Sequence, residues 1–204
     1  VLYRSNAQSR AIEEALLRIS IPYRIYGGLR FYERLEIKNA IAYLKIIFNN
    51  NDNPSFERSI SNPTRGVGEK TLGKIRQTAQ KYNISYIKAS AKLIDEGSIS
   101  GRGGSGLRDY LEFVAGCKSF IEDNSLSDLM ELIIKESGLY SYHAKEAGEK
   151  GKTRTENLEE LITATKNFEQ SVKEDKTNTE IAENYLDVIS LDAGDRQAAE
   201  HDDA

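Results

Sequence analysis

The stretch Asn62-Pro63-Thr64-Arg65-Gly66-Val67-Gly68-Glu69-Lys70-Thr71-Leu72 lies between two runs of helical periodicity, and its reading sets the architecture. Two glycines one residue apart allow a tight turn that brings backbone close to a ligand, and the amides that follow are the unpaired donors of a helix N-terminus. Such amides suit phosphate oxygens. Thr64, Arg65, Lys70 and Thr71 surround the turn with hydroxyl and cationic donors. This is the chemistry of a sequence-indifferent grip on a sugar-phosphate backbone. The same pattern also serves a plain interhelical turn, because Gly-x-Gly is common between helices.

Upstream of the turn, Ile37, Ile41, Leu44 and Phe48 repeat at helical spacing from Glu33 onward, and Asn49 to Asn53 forms a polar loop. On that helix Arg34, Lys38 and Lys45 are four and seven residues apart, which places them on one stripe beside the apolar one. The stripe reads either as a second contact to a polyanion or as a solvated face. Further upstream the order is strand, helix, strand: an apolar run Val1 to Arg4, a capping-box spacing Ser5/Gln8 ahead of Ile12, Ala15, Leu16 and Ile19, then Tyr23 to Tyr26 before Gly27-Gly28. Tyr3 to Arg10 would sit at a strand-to-helix exit, where ligands commonly bind. There Arg4 and Asn6 could hold a phosphate and a base edge or sugar, or Ser5 could merely cap and Arg4 merely solvate.

Downstream of Asn53-Pro54 strand signals stop, and helices are expected near 54–60, 69–82, 85–95, 104–122, 126–137, 155–172 and 178–189. The fold class is therefore mainly α, preceded by a short strand-helix-strand piece. Thr153/Glu156 forms another capping-box spacing, so the charged, glycine-bearing run from Glu146 to Arg154 reads as a mobile loop. The acidic tail from Asp192 to Ala204 is expected to be poorly ordered.

The 204 residues can bury the core of one domain or somewhat more, and the net charge of -4 conceals a split. Residues 1–110 hold 18 Lys and Arg against 10 Asp and Glu, a net of +8, whereas the remainder holds 10 against 22, a net of -12. A basic first half suits a polyphosphate partner through counterion release. A valine at position 1 suggests a piece of a longer protein. No stretch approaches a membrane span, and Cys117 alone cannot form an internal disulfide, so a soluble, cytoplasmic chain is expected.

Other chemistries find little support. Gly101-Arg102-Gly103-Gly104-Ser105-Gly106 fits G-x-G-x-x-G but follows no strand, so it reads as a flexible interhelical loop. There is no G-x-x-x-x-G-K-[ST] loop for nucleotide phosphates. His143 and His201 lack metal-ligand spacing and read as surface residues.

The segments YRSNAQSRAIEEAL (3–16), IPYRIYGGLRFYERLEIKNAIAYLKII (21–47), NPTRGVGEKTL (62–72) and GEKGKTRTENLEELITA (148–164), in this order, resemble the UvrD/Rep family of superfamily 1 DNA helicases. That family has two RecA-like motor domains, each carrying an inserted helical subdomain. The resemblance implies that residues 1–26 are the edge of the second motor domain, 27–189 its 2B insertion, and 190–204 an acidic return segment or tail. It implies a parent enzyme that moves 3′ to 5′ on single-stranded DNA, hydrolyses ATP with magnesium and unwinds duplex in repair or replication. The Walker lysine, the magnesium-binding acids and the γ-phosphate-sensing arginine would lie outside this segment, which would bind neither cofactor nor metal and be inactive alone.

By the same resemblance Arg4 and Asn6 contact the single strand, the hairpin Thr64, Arg65, Gly66, Val67, Gly68, Lys70 and Thr71 grips duplex backbone, and Lys45 lies near that duplex. Val67 stands where many relatives have Ile, which keeps an apolar anchor. The implied partners are DNA at a duplex and single-strand junction, the rest of the helicase chain, and repair proteins. The competing reading is a protein-interaction module that recruits repair partners through the acidic second half.

Overall fold

The structure, a computed structural model, describes residues 31–172 and 176–199 together with positions 12, 13, 15, 16, 19 and 21, with side chains described through residue 190. The expected strand-helix-strand start therefore falls almost entirely outside the described residues, although positions 12, 13, 15 and 16 are helical. From Phe31 onward the described chain is helical throughout, which fits the mainly α expectation.

After a 3-10 turn at Phe31–Glu33 come α1 (Leu35–Phe48), α2 (Asn53–Ser61), α3 (Glu69–Tyr82), α4 (Tyr86–Asp95), α5 (Gly101–Asp123), α6 (Leu126–Glu136), α7 (Leu139–Ala144), α8 (Glu149–Ser171) and α9 (Asn178–Ala199). Helix α1 is the axis of the core. Its apolar residues are too numerous for one stripe, and Ile37, Ala40, Tyr43, Leu44, Ile46 and Ile47 are all buried. A helix apolar on most sides must be surrounded, and α1 packs against α2, α5, α6 and α8. Each fully buried isoleucine contributes roughly 1.5–3 kcal/mol.

Local signals set the boundaries. Asp52 caps α2 by accepting from the Ser55 amide at 2.9 Å, with Pro54 in the first turn where no amide is needed. Asn83, in the left-handed region at φ 52°, ends α3. Ser125 and Asp128 form a reciprocal capping box at α6.

Three expectations are corrected here. The run from Glu146 to Arg154 is a loop only as far as Gly148: α8 begins at Glu149, and Gly151 packs so closely that a Cβ there would stand 2.4 Å from the Glu146 carbonyl oxygen and 2.8 Å from that of His143. Thr153/Glu156 consequently lies inside a helix and caps nothing. His143, expected at the surface, is 1% exposed, and its Nδ1 pairs with Glu146 at 2.6 Å. Helix α9 runs on to Ala199, past residue 189 where its end was expected; His201 lies outside the described residues.

A chain of buried polar contacts ties α1 to the α7–α8 corner. Arg34 donates to Asn157 Oδ1 at 2.8 Å, Asn157 donates to Glu36 Oε1 at 2.6 Å, and Arg154 bridges Glu36 at 3.6 Å and Glu146 at 2.6 Å. Buried charges persist only when paired, and these pairs hold α8 at one register against the start of α1.

Candidate nucleic-acid interface

The hairpin between α2 and α3 is built from the inside outward. Tyr43 of α1 donates its hydroxyl to the carbonyls of Ser59 at 2.7 Å and Asn62 at 2.9 Å, fixing the end of α2. The Tyr110 and Ser59 hydroxyls share a 2.6 Å hydrogen bond. Burial pushes both phenols well above the ordinary tyrosine range, so they remain neutral donors.

Arg65 completes this interior frame. Its guanidinium donates to the carbonyls of Pro63 at 3.0 Å and Ser137 at 2.8 Å, more weakly to Ser59 at 3.4 Å, and lies over the rings of Tyr43 and Tyr110 at 5.5 and 5.6 Å. Sequence reasoning had placed Arg65 among the outward cations. The structure turns it inward, because three carbonyls and two aromatic faces offer a planar donor more than water does. Val67 is buried as the apolar anchor.

What faces outward is the turn itself. Thr64, Gly66, Gly68 and Lys70 are exposed, and Thr71 is partly so. Gly66 adopts φ 76°, which lets the chain reverse. Gly68 is the N-cap of α3, and no side chain bonds the amides there. Thr71 and Leu72 amides turn back to the Gly68 carbonyl at 2.9 and 3.0 Å. Glu69, the one acid in the turn, contacts Arg76, which also holds Glu57 at 2.6 and 2.8 Å.

The glycine run at 101–106, expected to be a flexible loop, is instead the first turn and a half of α5, seated on the hairpin. A Cβ at Gly106 would stand 2.0 Å from the Arg65 carbonyl oxygen, and one at Gly103 would stand 3.1 Å from that of Gly66. Glycine is needed there so that helix and hairpin backbone can touch.

The expected stripe on α1 divides. Lys38 is exposed and Lys45 partly exposed near the C-terminus of the helix, but Arg34 is 7% exposed and bound to Asn157, with its guanidinium 5.3 Å from the Phe31 ring centre. A wet three-cation stripe is thus corrected to two lysines. Arg4 and Asn6 lie outside the described residues.

Comparison with known proteins decides the family. A family model described as UvrD-like helicase C-terminal domain matches residues 1–99. DNA helicase II of Escherichia coli (strain K12) is 45% identical over all 204 residues, and ATP-dependent DNA helicase PcrA of Bacillus subtilis (strain 168) is 34% identical over 98% of this chain. The chain belongs to the UvrD-like helicase family.

Its segment spans about a quarter of the relatives it matches, 28% of the Escherichia coli protein and 27% of the Bacillus subtilis one. DNA helicase II of Haemophilus influenzae is 45% identical over 98% of the chain, so the likeness extends past the family-model match into α5 to α9. Within this UvrD-like segment, sequence reading passed over Arg102, whose stem lies on the hairpin: a Cβ on Gly66 would stand 2.9 Å from its Cγ. The available signal was an arginine inside a glycine run, which a flexible-loop reading discards. No helix among the described residues is long and apolar enough to cross a membrane.

Proposed function

We propose that this chain is the duplex-holding and regulatory 2B-type segment, residues 27–189, of a 3′–5′ ATP-dependent DNA helicase, with residues 1–26 belonging to the adjoining motor domain and 190–204 to a return segment. The observation that carries the reading is the outward-facing turn from Thr64 to Thr71, with side-chain-free amides at Gly68 and Lys70 beside them, set on a frame tied down by Arg65. Such a turn offers donors to phosphate oxygens and nothing that reads base edges, so it would hold a duplex irrespective of sequence. Lys38 and Lys45 of α1 would extend the contact, while Arg4 and Asn6 would meet the single strand.

On this reading ATP and magnesium belong to the motor part of the parent chain. Among the described residues no group of three His, Cys, Asp or Glu could hold a metal ion, and the sequence has no P-loop. Both would be bound by the rest of the parent chain, and no step proposed here runs through them. The proposed regulatory role is rigid-body rotation of the helical body on its motor through Gly27-Gly28 and the return segment.

Fluorescence anisotropy with a duplex carrying a 3′ single-stranded tail, at about 50 and about 200 mM salt, tests the grip; each phosphate contact should add about 0.9 to the slope of log affinity against log salt. Salt-independent binding would overturn it. Removing residues 27–189 from the parent should change its unwinding rate and duplex affinity, and unchanged values would refute the regulatory role.

A second reading, a protein-interaction surface, is favoured by the open groove of 440 Å³ between α5 and α6, where Phe120 and Leu132 are flanked by Asp128, Glu136 and the Glu131–Lys135 pair. DNA binding insensitive to salt, together with retained repair-protein binding, would favour it over the first.

A further inference from the structure

We propose that Arg102, supplied by α5, is a second phosphate-binding cation of the turn at Gly66 and Gly68, pairing with Lys70 so that the site takes a phosphodiester backbone between a guanidinium and an ammonium. The proposal rests on the duplex-grip reading above and adds to it a residue from a different helix.

The placement follows from close contacts. A Cβ on Gly66 would stand 2.9 Å from Arg102 Cγ, 3.3 Å from Cδ and 3.4 Å from Nε, so the stem of Arg102 lies across a position of the hairpin that lacks a side chain. Gly66 thus serves twice, since its positive φ makes the turn and its missing side chain makes the groove for the arginine stem. The base of that stem is also fixed. The next residue, Gly103, would put a Cβ 3.1 Å from the Gly66 carbonyl oxygen and 3.6 Å from Thr71 Oγ1, which seats the first turn of α5 on the hairpin.

The head of the side chain is unspent. Arg34, Arg58, Arg65, Arg76 and Arg154 each have a hydrogen-bond or ion-pair partner within the protein. Arg102 is exposed and, like Arg108 further along α5, has none among the described residues. No acid competes for it at the turn, because Glu69 contacts Arg76. A guanidinium held by its stem across Gly66, on the exposed side of the turn that also carries Lys70, offers a donor fork that matches the bidentate geometry of phosphate oxygens.

The test uses the full chain with Arg102→Met and Lys70→Met, each measured by anisotropy on duplex DNA from about 50 to about 200 mM salt, with a thermal melt of each variant. Methionine keeps an apolar stem over Gly66 and removes the charge. Arg102→Met should melt with the unmodified chain, reduce the slope of log affinity against log salt by about 1, and shrink the affinity lost across that range by about threefold. Arg102→Lys should restore most of the slope. A reduced slope for Lys70→Met with an unchanged slope for Arg102→Met would overturn the proposal and leave the grip reading standing. Unchanged slopes for both would overturn both. A lowered melting temperature for Arg102→Met without a change in slope would make Arg102 a packing strut and also overturn the proposal.

Discussion

Arg65 donates to the carbonyl oxygen of Ser137 at 2.8 Å, joining the hairpin to the end of α6 across 72 residues of sequence. The most conspicuous cation of the turn is therefore part of its scaffold. Arg65→Met should destabilise the fold by about 2–3 kcal/mol, because it strands carbonyls that now accept from a charged donor. Lys70→Met, at an exposed site, should stay within about 0.5 kcal/mol. Urea unfolding followed by circular dichroism separates the two, and equal stabilities would remove Arg65 from the scaffold.

The polar chain from Arg34 to Glu146 should act as a unit. Arg154→Met leaves the buried carboxylate of Glu36 with Asn157 as its remaining partner here, at an expected cost of about 3 kcal/mol. The double variant Arg154→Met/Glu36→Met should recover part of that loss, since it removes the stranded charge. Additive losses in urea unfolding would show that the two residues are uncoupled.

Acid should loosen the α7–α8 corner. The hydrogen bond from His143, then the hydrogen bond and charge of Arg154, hold the Glu146 carboxyl below the usual range. A lowered value in the fold means the unfolded chain binds the proton more readily. The stability contributed is then fully present above the ordinary carboxylate pKa and is lost as pH falls through the depressed one. Urea midpoints should drop below about pH 5 in the unmodified chain and drop less steeply in Glu146→Gln. Parallel curves for the two proteins would contradict this assignment.

Cys117 gives a direct probe of opening. It is 1% exposed, and burial pushes its thiol up to about 12. The thiolate is the reactive form, so an aromatic disulfide reagent at about pH 8 should label Cys117 only when urea unfolds the chain. Since the raised value favours the unfolded, ionised thiol at high pH, this contribution to stability should fall as pH rises through the ordinary thiol range. Rapid labelling of the native chain would contradict the packing around α5.

The sequence made the helical frame readable because Ile37, Ile41, Leu44 and Phe48 repeat at helical spacing, a local signal that tertiary packing did not override. Three kinds of residue were not readable. Arg34 and Arg65 look like solvated cations until their carbonyl, amide and aromatic partners are brought from distant helices. Gly103 and Gly106 look like loop residues because glycine signals a break locally, whereas here it permits helix-on-hairpin contact. His143 and Gly151 look like parts of a charged linker until α7 folds against α8; α7, six residues long, is too short to show a period.

Backbone amide chemical shifts of the nitrogen-15-labelled chain, followed while duplex DNA is added at low salt, report the contact residue by residue. The amides of Gly66, Gly68, Glu69 and Lys70 should move furthest and saturate together, with smaller shifts on α1 near Lys38 and Lys45. Saturable shifts confined to α6 and α8, with the turn unmoved, would show that the hairpin is only an interhelical connection and that DNA, if it binds, is held elsewhere.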